Sequence, residues 1–142
     1  MIKTVFYIRK NKMKKIKKLI PLILTSLLLS SCAPKSTSST TYREISMDEA
    51  VAMMESEKNY IILDVRTPEE YRGGHIPGSI NVPNESIGDA EIKELPDKDM
   101  LIFVYCRSGR RSKEAAKKLL KLGYTNIVEF GGILDWKGEI EK

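Results

Sequence analysis

One cysteine carries most of the reactive potential of this 142-residue chain. Cys106 is followed by Arg107, Ser108, Gly109, Arg110 and Arg111, which puts three guanidinium groups within five residues of a thiol. Positive charge beside a cysteine favours the thiolate, the form that attacks, and such settings lower a thiol from about 8.5 to between roughly 3.5 and 7.5. A two-unit drop needs ~2.7 kcal/mol of preference for the anion, which backbone amides plus one arginine can supply. The expected chemistry is nucleophilic, on an anionic substrate held by the same charges. A cysteine packed only for its volume would not need three arginines around it.

The flanking pattern says what must position that loop. Residues 100–105 (MLIFVY) are apolar without alternation, as in a strand buried on both faces of a parallel sheet. From Ser112 the pattern turns helical: Ala116, Leu119 and Leu120 share one face, the lysines of 113–121 cover a solvated one, and Gly123 is a stop signal. The cysteine therefore sits where a buried strand turns into a helix, the ligand position of open α/β sheets. The loop's N–H groups are expected to point inward as a ring, and the helix N-terminus adds partial positive charge.

The rest of 42–142 supplies matching elements. A short strand is expected over 42–45. Ser46 and Glu49 form a capping box opening a helix to about Glu57. A second buried strand spans 60–65, and Thr67, Pro68 and Glu70 open a short helix to about Arg72. Residues 73–78 read as a turn-rich loop, 80–82 as a brief strand, and 85–95 as a weak helix interrupted by Gly88. Residues 126–130 read as a last strand, Gly131 and Gly132 as a turn, and 133–140 as a closing amphipathic helix on which Trp136 packs. Strands alternating with helices imply an α/β fold with a parallel sheet.

The first 41 residues are of another kind. Residues 1–31 hold eight Lys or Arg and no acid. Removing those eight from the 24 basic residues leaves 16 against 19 acids, a net of −3, so basicity belongs to the leader and no nucleic-acid partner is implied. The apolar run 19–29 is shorter than the ~20 residues of a membrane span and suits the core of a secretory signal. Met13 opens a compact leader of its own, so translation is expected to start at Met1 or Met13. Leu29, Ser30, Ser31 and Cys32 resemble the bacterial lipobox. That resemblance implies cleavage before Cys32, diacylglycerol on its sulfur, acyl chains such as palmitate, and a lipid anchor on the extracytoplasmic side of the cell membrane or envelope. Residues 32–41, rich in Ser and Thr, form a flexible tether. Two cysteines and one histidine cannot build a protein-only zinc site without several carboxylates, so no metal is expected and the chemistry calls for no cofactor.

Four motifs in order resemble the rhodanese domain: LDVRTPEEY at 63–71, GHIPGSINVP at 74–83, YCRSGRRS at 105–112 and GGILDW at 131–136. The resemblance covers essentially all of 42–142. It implies a rhodanese-like α/β fold, a five-stranded parallel sheet with helices on both faces, in a monomer. It implies sulfur transfer through a persulfide on Cys106, from thiosulfate or a similar small donor to cyanide or a thiol. Arg107, Ser108, Gly109, Arg110 and Arg111 would bind substrate. Arg107 would orient the donor's sulfonate, Arg111 would hold the loop or the anion, and Arg110 would face solvent. Asp64, Arg66 and Glu70 are expected to form a structural charge cluster near the site, and His75, the lone histidine, to make a structural hydrogen bond rather than serve as base. Two alternatives remain. One is a persulfide carrier, or a sulfur-sensing or partner-binding module, without turnover. The other is phosphatase or arsenate reductase chemistry, which uses a Cys-x5-Arg loop where this one has Cys-x4-Arg.

Overall fold

A computed structural model describes residues 41–142. The leader, Cys32 and most of the tether lie outside the described residues.

Five strands form one all-parallel sheet: β1 (Arg43–Glu44), β2 (Tyr60–Asp64), β3 (Ile80–Asn81), β4 (Leu101–Cys106) and β5 (Ile127–Gly132), in the order β1-β5-β4-β2-β3. β4 is central and every one of its residues is buried. Its side chains alternate between two cores, as successive Cβ atoms of a strand must. Ile102, Val104 and Cys106 face a layer with Leu63, Ala115, Ala116 and Leu119. Leu101, Phe103 and Tyr105 face a layer with Ala50, Ile62, Val128 and Phe130. The first layer is roofed by α3 (Arg110–Lys121), the second by α1 (Met47–Ser56). Both capping boxes form, Ser46 with Glu49 on α1 and Thr67 with Glu70 on α2 (Pro68–Arg72). The fold class is the one expected: α/β, five parallel strands, helices on both faces.

Four local expectations are corrected. Helix α3 starts at Arg110, not Ser112, because Gly109 takes a left-handed φ of 94° and turns the chain directly into the helix without a side-chain cap. Gly131 and Gly132 are not a turn but the end of β5. Between Val104 and Cys106 the register shifts, so that Val104 faces Glu129 and Cys106 faces Gly132; the extra β5 residue is accommodated by Gly131 at φ 93°. The weak helix at 85–95 is only a single 3-10 turn, Asn84–Ser86. Ile87, Ile92 and Leu95 are all buried although the chain around them is not helical, so the segment packs as an irregular strap. The closing helix at 133–140 is likewise one 3-10 turn, Ile133–Asp135. Trp136 leaves helical geometry at ψ 127°, and its Nε1–H closes a local loop on the Glu139 carbonyl at 2.9 Å. Gly138 is pressed on the indole, where a Cβ would meet Cζ2 at 2.8 Å. The segment then returns to the body through a two-way backbone pair between His75 and Glu141.

Candidate active site at the Cys106 loop

The C-terminal ends of β2, β4 and β5 meet under the first turn of α3, and Cys106 is the last residue of β4. Its side chain faces the loop: the Gly109 N–H donates to Sγ at 3.2 Å. Of the expected ring of amides, this one lies within hydrogen-bonding reach of the sulfur among the described residues. Cys106 is only 1% exposed, so the sulfur sits at the bottom of the loop, beneath the exposed residues Arg107 and Ser108.

The loop is clamped from three sides. From β5, Gly132 lies directly against its backbone; a Cβ there would come 2.2 Å from the Arg107 oxygen and 2.5 Å from the Ser108 Cα. From the 3-10 turn after β5, the Leu134 N–H donates to that same Arg107 oxygen at 3.3 Å. From α2, Glu70 takes Arg111 in a bidentate grip, with Nη1 to Oε2 at 2.6 Å and Nη2 to Oε1 at 2.9 Å. The Arg111 hydrogen bonds hold the Glu70 carboxyl down at about 2 against the opposing effect of burial. Arg111 is raised in turn, first by its bond to Glu70 and against the opposing effect of burial.

The three arginines thus have different environments. Arg111 is fixed to α2. Arg110 is 75% exposed and pairs with Glu114 one helical turn on at 2.8 Å. Arg107 is exposed, with no ion-pair partner among the described residues, and is the loop cation open to an incoming anion.

The expected Asp64–Arg66–Glu70 cluster divides. Asp64 and Arg66 are buried together, with Nε 2.9 Å from Oδ2 and Nη2 also on the Gly74 carbonyl at 2.8 Å. Arg66 lies 5.7 Å from the Tyr105 ring centroid. Burial works against its charge, and Asp64 more than restores it. Glu70 belongs instead to the loop, through Arg111. His75 is stacked on Tyr71 at 3.8 Å between centroids and donates from Nδ1 to the Tyr71 carbonyl at 3.0 Å, with Nε2 3.8 Å from Glu141. Its ring is committed to α2 and the C-terminal segment. Among the described residues no cluster of His, Cys, Asp and Glu could hold a metal.

Sequence reasoning missed Gly132, Ser112 and Glu129. Glu129 is 3% exposed on β5, and its Oε1 accepts from Ser112 Oγ at 2.5 Å and from the Gly131 N–H at 2.9 Å. The available signal was a single charge inside the apolar run 127–130, since a buried carboxylate persists only with donors around it.

Known proteins resemble this chain in sequence and in fold. The chain is 38% identical over 73 residues to the thiosulfate sulfurtransferase PspE of Escherichia coli, covering 51% of this chain and 70% of that one. It is 38% identical over 101 residues to the putative sulfur carrier protein YrkF of Bacillus subtilis, covering 69% of this chain and 52% of that one. A solved rhodanese with anions from E. coli superposes at a TM-score of 0.54 with 35% identity, over 58% of this chain and 98% of that one. The model of the rhodanese-like domain matches residues 46–139, and the chain belongs to that family of sulfurtransferase domains.

Proposed function

We propose that the domain transfers sulfane sulfur through a persulfide on Cys106. The thiolate attacks the outer sulfur of thiosulfate; the sulfur–sulfur bond of the donor breaks, sulfite leaves with the bonding pair, and Cys106–S–S⁻ remains. A thiophilic acceptor, cyanide in the assay or a thiol, then takes the terminal sulfur and the thiolate is restored. No external oxidant is needed.

The observation that carries this reading is the Gly109 N–H on Sγ at 3.2 Å, beneath Arg107, which is exposed and has no ion-pair partner among the described residues. A donor amide at the sulfur is placed to stabilise the anion that each step leaves there. Arg107 orients the anionic donor, and Arg111, held by Glu70, keeps the loop closed. The Cys-x4-Arg spacing and the shielded sulfur suit a second sulfur atom better than a phosphoryl group wrapped on all sides. PspE, similar over half of this chain, is named a thiosulfate sulfurtransferase.

The full chain in detergent should convert thiosulfate and cyanide to thiocyanate, and Cys106→Ser should abolish this. The similarity to a putative sulfur carrier and the 1% exposure of Cys106 favour one second reading, a carrier that loads but does not turn over. In that case mass spectrometry finds 32 Da added to Cys106 without thiocyanate. We also propose lipidation at Cys32, with the domain anchored as a monomer on the extracytoplasmic side. Labelled palmitate should enter the wild type and not Cys32→Ser.

A further inference from the structure

Beneath the loop lies a polar pair that the proposed transfer does not use. Ser112 is fully buried and Glu129 is 3% exposed. The single hydroxyl hydrogen of Ser112 has three acceptors in reach: Glu129 Oε1 at 2.5 Å, the Gly109 carbonyl at 2.8 Å and the Gly131 carbonyl at 3.3 Å. The same Oε1 takes the Gly131 N–H at 2.9 Å. Gly109 is the pivot. Its N–H meets the Cys106 sulfur at 3.2 Å, its oxygen meets Ser112 and, at 3.2 Å, the Lys113 N–H, and its φ is 94°. A Cβ on Gly109 would touch Gly131 Cα at 3.7 Å and Glu129 Oε1 at 3.9 Å. The residue whose N–H meets the sulfur therefore lies against the carboxylate on β5.

We infer that Glu129 and Ser112 are positioning residues, a buried pair that fixes the orientation of Gly109 and so aims its amide at the sulfur and at the persulfide formed there. The geometry explains why a carboxylate is kept inside the sheet. β5 carries an extra residue opposite β4 at this point, which leaves the Gly131 N–H without a ladder partner; Glu129 supplies one and uses the same oxygen to anchor the helix start. The loop is thereby tied to the strand beside it through hydrogen bonds, and its anion-facing amide is held in place before substrate arrives.

The inference rests on the sulfur-transfer reading for its assay, and the test separates the two. On full-length protein in detergent, two rate constants at Cys106 are measured: loading by thiosulfate, read as 32 Da added, and alkylation by the neutral reagent iodoacetamide. The ratio of the two reports how well the loop supports an anionic donor and leaving group, independently of how much folded protein is present. Ser112→Ala and Glu129→Leu should lower the ratio by about tenfold or more. Glu129→Gln should stay within about threefold of wild type: its amide oxygen, placed where Oε1 stands, accepts from both the Gly131 N–H and the Ser112 hydroxyl. If alanine at position 112 prevents folding by circular dichroism, Ser112→Cys, similar in size but a feeble donor, replaces it with the same expected fall. An unchanged ratio in Ser112→Ala overturns the inference, as does a fall in Glu129→Gln as deep as in Glu129→Leu. Wild type that thiosulfate never loads refutes the donor assignment instead, and the same ratio taken with inorganic polysulfide then decides the role of the pair.

Discussion

The tie between α2 and the cysteine loop can be tested by Glu70→Gln. The carboxylate meets both terminal nitrogens of Arg111, at 2.6 and 2.9 Å, with side-chain exposures of 29% and 16%. It also accepts the Thr67 N–H at 3.1 Å, capping α2. Those bonds lower Glu70 from 4.5 to about 2. A shift of that size corresponds to ~3 kcal/mol, and screening by solvent at a partly exposed site brings the expected contribution to about 1–2 kcal/mol. A group depressed in the folded state stabilises fully above its unfolded value and loses that contribution as pH falls through the folded one. Wild type should therefore be more stable than Glu70→Gln by about 1–2 kcal/mol at pH 7, with the gap closing between pH 5 and pH 2. Urea unfolding at several pH values reads this directly. Release of Arg111 should also raise KM for thiosulfate several-fold more than it lowers kcat, since Arg111 holds the loop and leaves the sulfur in place. A stability gap that stays constant with pH would refute the reasoning, because glutamine would then be acting through shape rather than charge.

Two further substitutions probe the clamps separately. Gly132→Ala puts a methyl group 2.2 Å from the Arg107 oxygen, where backbone must move; a loss of more than about 3 kcal/mol and loss of sulfur loading are expected, measured by thermal unfolding and by mass. Asp64→Ala leaves Arg66 buried without its partner and should cost about 3–5 kcal/mol, while the surviving folded fraction keeps its rate of sulfur loading per molecule, since Asp64 belongs to the β2 end and not to the sulfur pocket.

The strand–loop–helix unit around Cys106 was legible because its signals are local: an apolar run, a glycine, then helical periodicity. The same held for both capping boxes, each closed within four residues. The two failed helices show where local pattern stops. Residues 85–95 carry buried Ile87, Ile92 and Leu95, which read as a weak helix in sequence, but they are placed by the sheet and α3 rather than by each other. Residues 133–140 lost their helix to contacts made far along the chain, with Glu141 paired to His75 across 66 positions. The site divides the same way. The sequence set Arg110 toward solvent, where it stands, but Arg107 and Arg111 are told apart only by the fold, which gives Arg111 a partner 41 residues away and leaves Arg107 without an ion-pair partner among the described residues. Gly132 contributes through a missing Cβ, which no periodicity registers. Glu129 was hidden for the opposite reason: one acid in a strand reads as an edge position until the register shows it beneath the loop. Reactive atoms can thus be read from types and spacing, while the atoms that hold them still come from neighbouring strands, so loss-of-function substitutions in this domain should be found on β5 as often as in the loop.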